Sequence, residues 1–415
     1  MLRFMSAIFE RGGSMRRIGA VAGLAALVAL SPPAQAQTKT VTLGAALQLT
    51  GATANLGRYF RDGYQIAIER INEACGLDVA GTRYRLALKL LDNQSDINLG
   101  VREYVQLVTR DKVDFLLGPY SSNDTLDASS VAEKYHVVMV EGGGASREIF
   151  SRGYSYIFGT SPPADDYFAS TIAMMTKLEP RPKTLALLVA DDSFDVAVAE
   201  GARRHAAEGG FEIVLDKQYS EHNSDFSALL ALVKSKKPDA ILWGGHETEA
   251  LNFLREAKSL DVNPNYLAAL TVGVPSADFR AALGKDADYV FGMTPWLASP
   301  LLRDKWFGDA QQFAVLFHLR FGYEPDYHVA SAVATVETLA HGIEAAGSLD
   351  MDKVRAAIAK SDFESVFATI HFAANGQIDL PQIVVQVQAG KLVPIYTDHF
   401  LNKPLYPVPA WGKRS

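Results

Sequence analysis

The sequence predicts an α/β fold with two lobes, each built around a parallel sheet. From Thr40 onward, short apolar runs bounded by Gly, Pro or Asp alternate with amphipathic segments of helical period. Such runs are typical of strands buried on both faces. The alternation occurs over 40–158 and again over 184–270, and a segment rich in Gly, Ser and Pro at 159–163 interrupts it. Repeated strand–helix units form parallel sheets with right-handed crossovers, so each set indicates one lobe.

The predicted strands of both sets share this apolar character. They are Val41–Leu47, Tyr84–Leu91, Val113–Leu117 and Val137–Val140, then Thr184–Ala190, Phe211–Asp216, Ala240–Trp243 and Tyr266–Leu270. Between them, apolar residues three and four positions apart predict helices over Phe60–Ile71, Val101–Val108 and Phe226–Val233. Each helix presents one apolar stripe to a sheet.

The chain continues beyond the second set with two long helical stretches and late strands. The helices are predicted at Lys305–Phe321 and Tyr327–Ala346. The turn dipeptide Asn375-Gly376 precedes strands at Ile383–Val387 and Leu392–Tyr396. This order suggests a chain that crosses between the lobes more than once.

Length and composition limit the classes of function. The 415 residues are enough for two domains, and the net charge of −7 without a basic run in the body argues against a nucleic-acid partner. Cys75 is the one cysteine, which excludes an intramolecular disulfide and a thiolate metal cluster. We expect Cys75 to be a partly buried, inert thiol.

The N-terminus has the pattern of a secretory signal peptide. Arg16 and Arg17 precede the apolar run Ile18–Leu30, and the small-residue site Ala34–Ala36 follows. A run of 13 residues is shorter than the ~20 that span a bilayer as a helix, although a membrane anchor is the alternative. We expect residues 1–36 to be a signal peptide cleaved near Ala36, with Met15 as a possible true start. The product would be exported and soluble.

Enzyme signatures are missing from the sequence. It contains no G-x-x-x-x-G-K-[ST], no G-x-G-x-x-G and no G-x-S-x-G, and His246-Glu247 lacks the second histidine of a zinc helix. Asp191, Asp192 and Asp195 cluster after a strand, but their spacing does not match an EF-hand. We interpret them as a solvated loop whose acids favour a helix N-terminus, with a cation site as the alternative. The sequence therefore predicts a protein that is not an enzyme and has no cofactor.

The loops after the strands are the best candidates for a binding site, because open α/β sheets bind ligands at the carboxyl ends of their strands. One strand ends in Gly118–Ser122, and a helix follows from about Thr125. Hydroxyls and free N–H groups at a helix start favour an anionic group such as a carboxylate. The alternative is that Ser122 or Asn123 only caps the helix.

Two further strand ends run into glycines. Glu141–Ser146 contains three of them in succession, which would let the backbone approach a ligand and present N–H groups, unless the loop is simply flexible. The third strand end is Trp243–His246. Trp243 and His246 either line a pocket or serve a structural role.

Several long segments together resemble one known family. They are VTLGAALQLTGATANLGRYFRDGYQIAIERINEACGL at 41–77, DKVDFLLGPYSSNDTLDASSVAEKYHVVMVEGGGAS at 111–146, RGYSYIFGTSP at 152–162, DFSALLALVKSKKPDAILWGGHETEALNFLREAKSLD at 225–261 and YVFGMTPW at 289–296. In this order they are similar to the leucine/isoleucine/valine-binding protein family of ABC importers. The resemblance covers nearly all of the chain after the signal segment.

The resemblance implies two Rossmann-like lobes with parallel sheets joined by a three-stranded hinge, the type I periplasmic binding protein fold. The crossings would fall near Gly159–Ser161, Val290–Thr294 and Val366–Thr369. Lobe I would comprise 38–159 plus 293–366, and lobe II 160–292 plus 367–415.

The resemblance also implies a function. The protein would be a periplasmic receptor that closes around a small carboxylate-bearing solute, such as a branched-chain or other amino acid. It would then dock on ABC permease subunits at the inner membrane, which work with a separate ATPase. A ligand-sensing receptor domain of the same fold is the alternative.

The family's site residues map onto the strand-end loops. Its carboxylate contacts correspond to Ser122, Gly143, Ala145 and Ser146. The acidic residue that holds an α-ammonium has no counterpart in the stretch around Thr271, so an aromatic or aliphatic acid, or an amide, is an alternative ligand. Tyr120, Phe194 and Trp243 would supply an apolar wall or belong to the core. The predicted ligand-binding residues are Tyr120, Ser121, Ser122, Gly143, Gly144, Ala145, Ser146, Phe194, His246 and Thr271.

Overall fold

A computed structural model describes residues 39–414. The predicted signal peptide, with its cleavage site near Ala36, lies outside the described residues. Between residues 39 and 414, no helix is both long enough and apolar enough to cross a membrane.

The described chain contains 17 strands and 12 α-helices. The strands are β1 (Lys39–Leu47), β2 (Leu77–Val79), β3 (Thr82–Asp92), β4 (Phe115–Leu117), β5 (Met139–Glu141), β6 (Ile157–Gly159), β7 (Thr184–Ala190), β8 (Glu212–Tyr219), β9 (Ala240–Trp243), β10 (Leu267–Leu270), β11 (Phe291–Thr294), β12 (Arg303–Asp304), β13 (Gly308–Asp309), β14 (Asp362–Glu364), β15 (Thr369–His371), β16 (Ile383–Gln388) and β17 (Lys391–Tyr396). The helices are α1 (Ala54–Glu73), α2 (Ile97–Thr109), α3 (Ser122–Tyr135), α4 (Arg147–Ser151), α5 (Ala169–Met175), α6 (Ser193–Glu208), α7 (Ser227–Lys236), α8 (Glu247–Ser259), α9 (Ala277–Leu283), α10 (Ala310–Phe321), α11 (Tyr327–Ala346) and α12 (Met351–Ile358).

Two sheets organise the fold. The first has six strands in the order β2-β3-β1-β4-β5-β6, and the second has seven in the order β17-β16-β11-β10-β9-β7-β8. Most neighbours are parallel, as the sequence predicts, but β2 runs antiparallel to β3, and the late strands β16 and β17 run antiparallel to their neighbours. The α/β class with two largely parallel sheets is therefore confirmed.

Each sheet is buried on both faces. Helices α1 and α11 supply much of the core on one face of the first sheet, and α2, α3 and α4 cover the other. The second sheet likewise has a separate apolar cluster on each face. This burial explains why central parallel strands such as β4, β7 and β9 are continuous apolar runs rather than alternating ones.

The chain changes sheets three times. It passes to the second sheet after β6 and returns after β11. Side chains from Val366 to Ile378 pack in the core of the first sheet, and the Gly159 N–H donates to Gly376 O, so the third change lies between Ile378 and Ile383. The expected position at Val366–Thr369 is thus too early. The lobe boundary expected between 366 and 367 is too early for the same reason, and the other expected boundaries remain predictions.

The helix expected at Lys305–Phe321 begins later, at Ala310. The Asp304 carboxylate accepts hydrogen bonds from the N–H groups of Trp306 and Phe307, and Gly308 has a φ of 90°. Asp309 then caps the helix by accepting from the N–H of Gln312 at 2.8 Å. Side-chain acceptors thus replace helical hydrogen bonds over these residues.

The expectation for Cys75 is wrong. The residue is exposed, at a φ of 73° just after α1, because Gly76 turns the chain there. The thiol therefore packs in neither core.

Candidate functional site

The loops at the carboxyl ends of strands from both sheets face one another and enclose two adjoining cavities. One space, of about 340 Å³, lies beside residues 142–145, and we call it the inner cavity. The other, of about 600 Å³ including its mouth, lies beside residues 52–53 and 221–222, and we call it the outer cavity. Tyr120, Ser121, Ser122 and His246 line both. This position matches the general rule for ligand sites in open α/β sheets.

Most of the predicted residues meet at the inner cavity. Those that line it are Tyr120, Ser121, Ser122, Gly143, Ala145, Phe194 and His246. The lining residues that sequence reasoning missed are Gly142, Ser161, Tyr167, Val272, Tyr327 and His328. The predicted binding role of the first group stays a prediction.

Ser122 has no capping role; Ser121 caps α3 instead. Ser121 lies at a φ of 79°, and its Oγ accepts from the N–H of Asp124. Ser122 is 2% exposed, and its Oγ accepts from the N–H groups of Ala145 and Ser146 at 3.0 and 3.1 Å. Since an oxygen that accepts two hydrogen bonds still carries its own O–H, this hydroxyl can donate to an anionic group.

The glycine loop is tied down by Glu141 rather than open to a ligand. Its buried carboxylate accepts from the N–H groups of Gly143 and Gly144 at 2.8 and 2.6 Å. Together with the bonds to Ser122, this gives the N–H of every residue from 143 to 146 an internal acceptor. The expectation that the loop presents free N–H groups is therefore wrong for this structure, and so is the flexible alternative.

Four residues with a suggested ligand-contact role lie off the cavities. Gly144 packs against Ile149, and Ser146 caps α4 through the N–H of Glu148. Thr271 is buried beneath the β9 loop, where its Oγ1 contacts the backbone of Gly245, and Val272 faces the cavity in its place. Trp243 lies in the core and stacks on Phe253 with ring centroids 5.5 Å apart.

The side walls of the inner cavity are aromatic. Tyr167 and Phe194 pack edge to face at 5.0 Å between centroids, and Tyr120 packs against His328 at 5.6 Å. The Asp326 carboxylate holds the ring of His328 through Nδ1 at 3.0 Å. These walls suit an apolar group of a small solute.

A chain of polar contacts joins the two sheets at the boundary between the cavities. The Tyr120 hydroxyl, after β4, lies 2.8 Å from Nδ1 of His246, after β9. Nε2 of His246 lies 3.4 Å from the carboxylate of Asp192, which follows β7. Burial opposes ionisation of Asp192, but His246 and the N–H of Asp195 together lower its pKa below the ordinary value. Burial likewise opposes the charged form of His246, but Asp192 raises its pKa.

Contacts at the rim also bridge the sheets. Arg58 on α1 pairs with Asp278 on α9 at 2.7 Å, and the Tyr59 hydroxyl lies 3.3 Å from that of Ser276. Asn123 accepts a hydrogen bond from the N–H of Ser193. The cavities are therefore closed over by direct contacts between the two halves.

Carboxylates dominate the charge of the outer cavity. Asp124, Asp192 and Glu221 line it, and no Lys or Arg of the described residues lines either cavity. Burial raises the pKa of Asp124 to about 6, and burial together with Asp192 raises that of Glu221. The expected solvated character of the aspartate cluster holds for Asp191 only, because Asp192 and Asp195 are buried.

Comparisons with known proteins agree with this architecture. The family model described as "Periplasmic binding protein" matches residues 40–391. The leucine-, isoleucine-, valine-, threonine-, and alanine-binding protein of Pseudomonas aeruginosa is 25% identical over 346 residues, which cover 82% of this chain and 87% of that protein.

Two solved structures show the same fold. The branched-chain amino acid transporter substrate binding protein LivJ from Streptococcus pneumoniae, in complex with isoleucine, superposes with a TM-score of 0.76 at 22% identity and covers 86% of this chain and 100% of its own. An ABC transporter solute binding protein from R. palustris, in complex with benzoate, gives 0.74 at 18% identity and covers 87% of this chain and 97% of its own. With the family model spanning nearly all of the described residues, the chain belongs to the periplasmic binding protein family.

Proposed function

We propose that this chain is the periplasmic substrate-binding protein of an ABC importer and that it captures an amino acid with an apolar or aromatic side chain. The observation that carries the proposal is the chemical division of the cavities. The inner one has aromatic walls and the Ser122 hydroxyl, and the outer one is lined by carboxylates without a lysine or arginine.

Each part of an amino acid finds a suitable partner in this arrangement. The Ser122 O–H would donate to the solute carboxylate, and α3, whose first N–H groups lack helical acceptors, begins at the same residue. The side chain would pack on Tyr167 and Phe194. Glu221, half-buried at the outer cavity, would accept the ammonium group, which a site without a carboxylate would leave unpaired.

The proposed mechanism is closure of the two halves around the solute. A solute that touches loops of both sheets stabilises the closed population by its differential affinity for that state. The contact between Tyr120 and His246 would form on closure and bury the solute. The closed form would then dock on permease subunits at the inner membrane, after export directed by residues 1–36.

A second candidate ligand is an aromatic carboxylate without an amine. The ring-lined inner cavity favours it, and the R. palustris protein of the same fold is complexed with benzoate. The carboxylates of the outer cavity argue against this ligand, because they would repel its negative charge, which no ammonium group balances.

Thermal unfolding with matched pairs of solutes separates the two candidates. The pairs are L-leucine with 4-methylpentanoate and L-phenylalanine with 3-phenylpropanoate, with benzoate as a further acid. A ligand at a hundredfold excess over Kd stabilises the folded state by about 2.7 kcal/mol, so a bound amino acid should raise Tm and its deaminated partner should not. Equal or larger shifts with the acids would favour the second candidate, and no shift with any of them would contradict both.

We expect Glu221→Gln to weaken amino-acid binding about tenfold, which corresponds to about 1.4 kcal/mol. The variant removes the carboxylate that would pair with the ammonium and keeps the shape of the side chain. Titration calorimetry with the best amino acid of the screen measures the change, and Glu212→Gln, which alters an exposed residue of β8, is the control. An unchanged affinity would remove Glu221 from the proposed site.

A further inference from the structure

We propose that Asp192, Asp195 and His246 form a binding site for one divalent transition-metal ion such as Zn²⁺. One ligand atom of each residue lies within 4.8 Å of the other two. Asp192 and Asp195 lie at the start of α6, just after β7, and His246 lies just after β9; these strands are adjacent in the second sheet, so the topology brings the three residues together. None of the three residues is among the solute contacts proposed above, although Asp192 and His246 line the outer cavity.

The carboxylate of Asp195 is buried without a hydrogen-bond donor among the described residues. Asp195 is 0% exposed, and such a donor is lacking for both of its oxygens. A Cβ added to Gly244 would lie 2.5 Å from its Oδ1, so the glycine backbone covers this carboxylate closely. Burial of an unpaired carboxylate beside a second one is costly, and a bound cation would remove that cost.

The other two residues are already oriented as ligands. Oδ1 of Asp192 accepts from the N–H groups of Phe194 and Asp195, while Oδ2 has no hydrogen bond and points to the cluster. Nδ1 of His246 is engaged by the Tyr120 hydroxyl, which leaves Nε2 for the ion. Ligating histidines in metal sites commonly have their second ring nitrogen fixed in this way.

The type of donor selects the type of ion. One imidazole nitrogen with two carboxylate oxygens is a set that Zn²⁺ and similar transition metals accept, whereas Ca²⁺ and Mg²⁺ prefer oxygen alone. Three protein ligands leave a coordination position free. Since Asp192 and His246 line the outer cavity, an ion held by them would be a positive centre beside cavities that no Lys or Arg of the described residues lines.

The alternative is that Asp192 and Asp195 share a proton and bind no ion. Zn²⁺ titration of the chelator-treated, purified protein without added solute distinguishes the two. Calorimetry should show one saturable ion per chain, and thermal unfolding should occur at a higher temperature with Zn²⁺. Because no solute takes part, the result does not depend on the proposed function.

Asp195→Asn is the decisive variant. It should reduce Zn²⁺ affinity at least a hundredfold, while Asp191→Asn, a neighbouring exposed aspartate outside the cluster, should bind as the unmodified protein does. His246→Gln should reduce Zn²⁺ affinity at least tenfold, and this variant tests the site even if Asp195→Asn does not fold. The proposal would be overturned in favour of the shared proton if the unmodified protein shows no saturable Zn²⁺ binding. The same conclusion would follow if Asp195→Asn and His246→Gln bind Zn²⁺ as tightly as the unmodified protein does.

Discussion

Ser122→Ala should reduce solute affinity between about tenfold and a hundredfold, because a hydrogen bond to a charged group contributes about 1.5–3 kcal/mol. The hydroxyl holds two roles at once. It accepts from the N–H groups of Ala145 and Ser146, and its own O–H is free to donate to a solute carboxylate. The variant therefore removes a donor to the solute and also loosens the loop that faces it.

The variant should also lower the free energy of unfolding by about 1–3 kcal/mol, because two buried N–H groups lose their acceptor. Ser129→Ala is the matched control, since Ser129 is a fully buried, hydrogen-bonded serine of the same helix that lines neither cavity. Calorimetry with the best amino acid of the screen should show a large loss for Ser122→Ala and little change for the control. Equal affinities in the two variants would exclude Ser122 from the binding site.

The fold was predictable where the apolar pattern is strong. Thr184–Ala190, Ala240–Trp243 and Tyr327–Ala346 have the bounds that the sequence predicts, because both faces of these elements are buried. Prediction failed where side chains bind backbone groups. The helix expected from Lys305 starts at Ala310, since the carboxylates of the two aspartates before it capture N–H groups that an apolar period cannot indicate.

The site was predictable as a set of strand-end loops but not as a set of contacts. Tyr167 and Tyr327 reach the inner cavity from segments that follow no predicted strand, so the rule for strand ends does not indicate them. Thr271 and Val272 are neighbours in sequence, and only the direction of the chain decides which of them faces the cavity. The stretch around Thr271 likewise contains no acidic residue, whereas Glu221, which follows another strand of the same sheet, lines the outer cavity.

Glu141→Gln should make the stability of the protein less dependent on pH. Glu141 is 0% exposed, and burial raises its pKa to about 8, although the N–H groups of Gly144 and Gly143 favour the ionised form. The titratable groups that interact with it are uncharged phenols, namely Tyr64 of α1, Tyr104 of α2 and Tyr167, and no cation among the described residues offsets the burial. We therefore expect the acid to be protonated in the folded chain at neutral pH.

The sign of the effect follows from proton linkage. An unfolded glutamate ionises near pH 4.3, so between that pH and about 8 the folded state holds one proton more than the unfolded state. The stability from this group is complete below pH 4.3 and is lost as pH rises to 8, by at most about 1.4 kcal/mol per pH unit. Glutamine keeps an acceptor for the two glycine N–H groups and has no proton to lose, so the variant should gain stability over the unmodified protein with each unit of rising pH.

Denaturant unfolding at pH 5, 6.5 and 8 measures the difference, with the exposed Glu200→Gln as control. Parallel pH profiles for the unmodified protein and Glu141→Gln would mean that the folded chain keeps this carboxylate ionised, stabilised by the loop that it holds.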